Sequence, residues 1–323
     1  MVTGIEEGKF VNSADAKIWV LTDGKIGDDV QCLAIAKYLD PGFDQRIVAP
    51  RAPWAHFAPW GPVDPQEQPG LTTGPLAGEA PELAIFSGRR AIPHARALKK
   101  ASDGQTRIVI LKDPRLGRRY ADVIWIPQHD RVTAPNVVST LTSPHGLTPK
   151  IAKAQNNASP YASPFLGVVL GGPSGGARYT EKEAADLGAR LSIAGRDYAA
   201  IAITPSRRTP QLFLNRLQSA VRHNRVHIWD GQGDNPYIDI LAHAAALVVA
   251  ADSHNMTSEA LATNVGVYAW CPRGLAPKMQ WFISELKKRG EIVPFAENAD
   301  PFTRTPMDGT PLIVTEIQQR INF

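Results

Sequence analysis

Short apolar runs alternate with polar turns and helix-like stretches along almost the whole chain, in two successive series. In the first, KIWVL leads into TDGKIGDD and then VQCLAIAKYL, where Val30, Leu33, Ala34 and Leu39 recur at helical spacing. LAIFSGRR then leads into AIPHARALKK, followed by RIVILKDPR, ADVIWIPQHD and NVVSTL. In the second series FLGVVL meets GGPSGGARYT and EKEAADLGARLSI, and YAAIAI meets TPSRRTP and QLFLNRLQSAV. VHIWD meets GQGDNPY and IDILAHAA, ALVVAADS passes to HNMTSEALAT, and GVYAW ends in CPRG. Apolar runs spaced by turns and helices are the signature of parallel sheets covered on both faces. The chain therefore predicts an α/β fold of two Rossmann-like, doubly wound parallel-sheet domains, facing across a cleft into which the polar clusters at the strand ends point.

The segment KIAKAQNNASPYASP, from Lys150 to Pro164, loses the apolar period and reads as a linker. It divides the chain into an N-terminal domain over 1–158 and a C-terminal domain over 159–309, in keeping with 323 residues at roughly 150 per domain. PLIVTEIQQRINF has helical spacing again, and a helix at about 310–323 is expected to pack back on the first domain. The stretch from Pro50 to Pro81, rich in Pro, Gly and Trp, predicts a long loop of the kind that carries function. The opening MVTGIEEGKFVNSADAKIWV, acidic at Glu6 and Glu7, lacks a signal pattern and reads as a loose leader.

With 43% hydrophobic and 20% charged residues the chain belongs among globular proteins. No apolar run approaches the ~20 residues of a bilayer span, so a cytoplasmic protein is expected, peripheral on the inner membrane face where its basic cluster docks. Cys32 and Cys271 lack metal-site spacing and are expected to be core thiols in a reducing compartment. No metal and no cofactor are expected, and the modest net charge of +4 does not point to nucleic acid. The charge is uneven: RIVILKDPRLGRRY carries Arg107, Lys112, Arg115, Arg118 and Arg119 against Asp113 alone. Such a cluster suits anionic lipid or a phosphorylated substrate, and equally a solvated loop.

Polar clusters follow the apolar runs. Gly171, Gly172, Gly175 and Gly176, around Pro173 and Ser174, match neither a P-loop nor G-x-G-x-x-G. Their backbone is expected to present N–H groups at a helix start, where phosphate is favoured, although glycines also serve a plain strand-to-helix turn. Ser206, Arg207, Arg208 and Thr209 combine guanidinium forks with hydroxyls and suit a diphosphate, with Thr209 as N-cap and Pro210 opening the next helix. Asp252, Ser253, Asn255, Thr257 and Ser258 crowd another helix start, with Glu259 in its first turn able to accept ribose hydroxyls. Capping explains any one of these equally well. Gly231, Asn235 and Pro236 form a fourth, weaker cluster.

In the first domain Asp23, Gly24, Lys25, Gly27 and Asp28 lie at a helix start, where an acid can take a proton and the glycines permit close approach. Ser87, Gly88, Arg89 and Arg90 follow the next run, and His129 with Asp130 a later one. A histidine after a strand is more often structural than catalytic, so His129 is the third candidate base after Asp23 and Asp28.

In order, WVLTDGKIGDDVQCLAIAKYL, FSGRRAIP, LKDPR, PQHD, GGPSGG, ITPSRRTP, DNPY and ADSHNMTSEA resemble the bacterial glycosyltransferases related to the plant mitochondrial-fission, or elongated-mitochondria, proteins. The resemblance runs from Lys17 to about Trp270. It implies a GT-B architecture with a nucleotide-sugar donor mainly on the second domain, at Gly172, Ser174, Gly175, Ser206, Arg207, Arg208, Asn235, Ser253, Asn255, Thr257 and Glu259. The acceptor is expected on the first, at Gly24, Lys25, Gly27, Ser87, Arg89 and Arg90. GGPSGGAR is similar to the glycine-rich loop of the transferase that completes the lipid-linked peptidoglycan precursor, and SHNMTSEAL to the helix whose acid holds the donor ribose there. Glu259 takes a ribose role by that analogy. Members of this group generally lack an Asp-x-Asp metal site, and this chain has no such triplet.

The resulting expectation is a metal-independent glycosyltransferase acting on an acceptor hydroxyl of a glycolipid or cell-envelope glycan. A nucleotide-sugar epimerase of the same fold, which turns over donor alone, and a non-catalytic adaptor are the alternatives. The basic cluster and Trp54, Phe57 and Trp60 suggest a lipid-linked acceptor and contact with anionic membrane; those aromatics packed inside are the competing reading.

Overall fold

Successive strand residues point to opposite faces, so a wholly apolar strand needs cover on both sides. In a computed structural model describing residues 17–115 and 118–322, β1 (Ile18–Thr22) and β3 (Leu83–Ser87) are buried at every position. Ile18 and Val20 enter one hydrophobic cluster and Trp19 and Leu21 another. Helix α1 (Ile26–Leu39) covers the first face with Cys32, Ile35 and Ala36, and α3 (Ile92–Ala101) covers the second with Ile92, Ala95 and Leu98. β2 (Asp44–Ile47), α2 (Trp54–Phe57), β4 (Arg107–Leu111), β5 (Val123–Trp125) and β6 (Val137–Val138) complete the unit. The sheet is parallel, in the order β2-β1-β3-β4-β5-β6.

The second unit spans residues 147–308. It runs α4 (Thr148–Ala154), β7 (Phe165–Leu170), α5 (Glu181–Ala194), β8 (Ala200–Pro205), α6 (Gln211–Ala220), β9 (Val226–Ile228) and α7 (Tyr237–His243). β10 (Ala246–Ala250), α8 (His254–Leu261), β11 (Gly266–Trp270), α9 (Pro277–Lys288) and β12 (Val293–Pro294) follow. Its sheet is also parallel, in the order β12-β11-β10-β7-β8-β9. Leu166 and Val168 of β7 pack with Leu187 and Leu191 of α5 and Phe213 and Leu217 of α6. Gly167 faces α7, where a Cβ would lie within 2.9 Å of Ile240, Leu247 and Ala244.

The terminal helix α10 (Thr310–Ile321) belongs to the first unit, placing Ile313, Val314, Ile317 and Ile321 in the cluster of α1. Several local expectations change. The segment read as a linker from Lys150 begins inside α4, whose Ile151 and Ala154 are buried; a proline in its first turn and the apolar pair suffice for a short helix. Cys32 is buried, but Cys271 is exposed rather than a core thiol, because it follows the end of β11. The leader lies outside the described residues. The Pro50–Pro81 stretch carries only α2, yet it is tied down: Arg51 grips buried Asp64 at 2.6 and 2.9 Å, and Arg46 donates to Pro75 and Ala77 carbonyls at 3.2 and 2.7 Å.

Candidate functional site

A doubly wound sheet has one place where consecutive crossovers leave for opposite faces, and a crevice opens there beyond the carboxyl ends of the two strands. In the first sheet that place lies between β1 and β3, in the second between β7 and β10. An acid stands at each.

Beyond β7 and β10, Asp252 is buried. It accepts from the Gly172 amide at 3.2 Å and from the Tyr179 hydroxyl, and Arg208 Nη2 lies 3.5 Å from its Oδ2. Burial nevertheless raises the carboxyl above its ordinary range, against the lowering effect of these partners. Side chains are excluded here: a Cβ on Gly171 would sit 2.1 Å from Asp252 Oδ1, and one on Gly172 would sit 2.5 Å from the Arg208 backbone. The β8 turn is stapled to the same glycines, with Ser206 donating to the Gly171 carbonyl at 2.9 Å and Thr209 donating to it as well. Thr209 is therefore not the N-cap of α6; Pro210 holds that position without a side-chain bond. Arg207 is exposed and has no acid partner among the described residues.

The glycine-rich loop is not itself a helix start. α5 begins only at Glu181, behind Thr180 in a capping box with Glu183. Gly175 and Gly176 instead have positive φ, 56° and 96°, and Gly176 presses on the Gly274 backbone, where a Cβ would lie 2.8 Å from the carbonyl oxygen. Ser174 is exposed beside them.

On α8, Ser253 is the N-cap, accepting from Met256 N at 3.4 Å, and Asn255 is the second helical residue. Glu259 lies in the second turn rather than the first, because the helix opens at His254. Its carboxyl accepts from the Tyr237 hydroxyl, and burial pushes its pKa up to about 7. Thr257 Oγ1 is buried with no hydrogen-bond partner among the described residues. Asn235 is exposed and caps the entry to α7, accepting from Tyr237 N at 3.0 Å.

Beyond β1 and β3, Gly24 (φ 76°) turns the chain into α1, with exposed Lys25 as the N-terminal cap and Gly27 in the first turn. Lys25 reaches Asp23 Oδ2 at 2.7 Å, while Asp23 Oδ1 is buried without a hydrogen-bond partner among the described residues. Gly88, at φ 93°, lets the β3 end close on that acid, for a Cβ there would lie 2.7 Å from Asp23 Cγ. Asp28 is buried, and its Oδ1 accepts from Ser87 Oγ at 2.9 Å and from Lys112 Nζ. Asp29 is bonded by Thr22, and burial raises its carboxyl. A cavity of about 260 Å³ borders Lys25, Asp28, Gly88, Arg89, Lys112 and Arg115.

Arg89 and Arg90 are both exposed, and Arg89 is turned toward carbonyls of the long loop, at 2.7 Å from Ala58 O and 3.2 Å from Ala55 O. His129 is buried in a turn after β5, with Nε2 3.7 Å from Asp130 Oδ1. In the sequence Lys112 belongs to a basic cluster and to the LKDPR motif, neither of which gives it a role of its own. It has a φ of 73°, rare for a residue with a side chain, and borders the cavity beside Asp28, and no sequence signal reports that backbone conformation. Tyr237 stood within the DNPY motif, and Thr180-x-x-Glu183 was a legible capping box.

Among the described residues no group of three or more His, Cys, Asp or Glu is arranged to hold a metal ion. No helix of the described residues is long and apolar enough to cross a membrane.

The two-sheet architecture is that of GT-B proteins. Acinetobacter baumannii MurG is 13% identical with a TM-score of 0.50, over 95% of this chain and 92% of that one. The UDP-GlcNAc 2-epimerase of Methanocaldococcus jannaschii is 10% identical with a TM-score of 0.53, over the same shares. Among curated sequences, the mitochondrial fission protein ELM1 of Arabidopsis thaliana is 24% identical over 275 residues, 75% of this chain. The match spans 64% of that relative's length, somewhat less than two thirds. The family Mitochondrial fission ELM1 matches residues 26–321, and the chain belongs to it.

Proposed function

We propose that this protein is a glycosyltransferase that takes its sugar from a nucleotide-diphosphate sugar bound at the switch point of the second sheet. The observation that carries the reading is the pair of consecutive arginines after β8: Arg208 lies 3.5 Å from one oxygen of buried Asp252, and exposed Arg207 has no acid partner among the described residues. Guanidiniums held at a strand end with spare charge suit a leaving diphosphate, whose negative charge grows as the glycosidic bond breaks. The positive-φ turn at Gly175 and Gly176 offers backbone amides to the same phosphates, with Ser174, Ser253 and Asn255 alongside. Glu259, held by Tyr237, accepts the ribose hydroxyls. Arginines supply the neutralisation, so the reaction needs no divalent metal.

Asp23 is the base we assign. Among the described residues its Oδ1 has no hydrogen-bond partner, whereas Ser87 and Lys112 both donate to Oδ1 of Asp28, and His129 lies next to Asp130. As the acceptor oxygen attacks the anomeric carbon, its proton passes to Asp23 and the diphosphate leaves. Lys25, Gly24, Gly27 and Arg90 line the acceptor side; Ser87 and Arg89 position their neighbours, since their polar atoms are already bonded within the protein. A lipid-linked acceptor fits the cations bordering this cavity.

Thermal stability against a panel of nucleotides and nucleotide-diphosphate sugars tests the reading, because a ligand of the native state raises apparent stability by mass action. A shift is expected with a nucleoside diphosphate, and Arg208→Ala should weaken that binding by about 1.5–3 kcal/mol. No shift with any of them in a folded sample would leave the non-catalytic adaptor. Formation of an epimer from donor alone would give the epimerase instead.

A further inference from the structure

Phe57 and Trp60 are each 58% exposed. Among the described residues no other Phe or Trp is exposed; the rest are buried or half-buried. Two neighbouring aromatics left in water forgo much of what their burial would contribute, and such a patch on a globular surface marks a contact.

The turn that carries them is built. Gly61 closes it, for a Cβ there would fall 2.6 Å from Phe57 Cβ. Arg89 donates to the Ala55 and Ala58 carbonyls at 3.2 and 2.7 Å. Arg96 donates to those of Pro59 and Trp60 at 3.1 and 3.2 Å and to that of Gly61. Buried His94 ties the loop farther on, its Nε2 2.9 Å from Glu67 Oε2. Among the described residues these two arginines meet neutral carbonyls and no acid, so their charge is not cancelled there. Exposed Arg90, Lys100 and Arg119 also lack acid partners among the described residues, and the Arg119 guanidinium stacks 4.9 Å from the Tyr120 ring. Beside Trp60 an open groove of about 770 Å³ is walled by Pro62, Val63, Pro93, Ala97 and Tyr120, with Lys100 on its border.

We propose that the Trp54–Gly61 turn is a docking element for an anionic lipid bilayer, with Phe57 and Trp60 entering the headgroup boundary and Arg90, Lys100 and Arg119 facing the lipid phosphates. Rigid exposed aromatics beside uncancelled cations have the complementarity such a surface requires: apolar depth from the rings and attraction to anionic headgroups from the charges. The proposal does not depend on the donor site.

Sedimentation with vesicles of phosphatidylglycerol mixed with phosphatidylcholine, and of phosphatidylcholine alone, tests it with the full chain. The protein is expected to pellet with the anionic vesicles and to be released by salt. Phe57→Ser/Trp60→Ser should weaken partition tenfold or more, on the order expected for two lost interfacial aromatics. Lys100→Glu/Arg119→Glu should weaken it by about fivefold or more for each cation removed. Circular dichroism should show both variants folded, since these side chains are exposed. Absent binding, equal binding to neutral vesicles, or undiminished binding by the aromatic variant would each overturn the proposal. A concentration-dependent dimer abolished by the aromatic variant would also overturn it, in favour of contact between copies.

Discussion

Replacing Glu259 with Gln should flatten the pH dependence of stability across the window in which this buried carboxyl titrates. Burial pushes its pKa from 4.5 up to about 7, and the Tyr237 hydroxyl only partly opposes the shift. In the window between those values the native protein holds a proton that the unfolded chain has released, so native stability falls as pH rises. The loss begins above the unfolded value and is complete once the pH passes about 7. At about 1.4 kcal/mol per unit, the full shift corresponds to about 3 kcal/mol. Urea unfolding of parent and Glu259→Gln at about pH 5 and about pH 8 should therefore show the parent losing about 2–3 kcal/mol more than the variant. Tyr237→Phe removes the partner that lowers the carboxyl pKa and should extend the loss to higher pH. Parallel profiles for parent and Glu259→Gln would refute the reasoning, because they would mean that the carboxyl is as well solvated folded as unfolded.

Two other predictions rest on packing and charge. Gly172→Ala places a Cβ 2.5 Å from the Arg208 backbone, which Ser206 and Thr209 hold in place through the Gly171 carbonyl, so it should destabilise by about 1–3 kcal/mol as overpacking does; unchanged urea unfolding would contradict that close approach. Asp64 is 1% exposed and held well below the usual carboxylate range by Arg51, so the parent should lose thermal stability as pH falls through the unfolded carboxylate range, and Asp64→Asn should lose less; equal acid sensitivity of the two proteins would remove this ion pair from the account.

How much of this was legible before the structure depends on the range of the interaction. The alternation of KIWVL, LAIFS and RIVIL with amphipathic stretches is local, and it gave the parallel α/β class because each strand is apolar on both faces. Strand order is not local: β7 pairs with β8 and β10, and only that pairing brings Gly172 to Asp252, 80 residues later. Lys112 and Asp28 meet across 84 residues for the same reason. Local conflicts account for other differences. A glycine-rich segment after a strand looks like a helix entry, but the helix waits for Thr180, whose side chain caps Glu183 N better than any glycine can. Thr209 resembled an N-cap because it precedes Pro210 and a helix, yet its hydroxyl is drawn to the Gly171 carbonyl instead.

The two switch points share a device and differ in what it leaves available. At each, a glycine from one strand end closes on an acid from the other: Gly88 on Asp23 and Gly171 on Asp252, where side chains would lie 2.7 and 2.1 Å from the carboxyl groups. Excluding a side chain there brings low-dielectric backbone against a carboxylate, which strengthens whatever charge interaction the acid can make. Asp252 has donors on both oxygens, from Gly172 and Tyr179, with Arg208 alongside. Its consequence is structural: it holds the arginine and the glycine turn in one arrangement, and that arrangement is what a diphosphate would meet. Asp23 has Lys25 on one oxygen and, among the described residues, no hydrogen-bond partner on the other, an expensive state for a buried acceptor. On the proposed function, the acid satisfied on both oxygens, Asp252, serves binding, and the half-satisfied acid, Asp23, serves proton transfer.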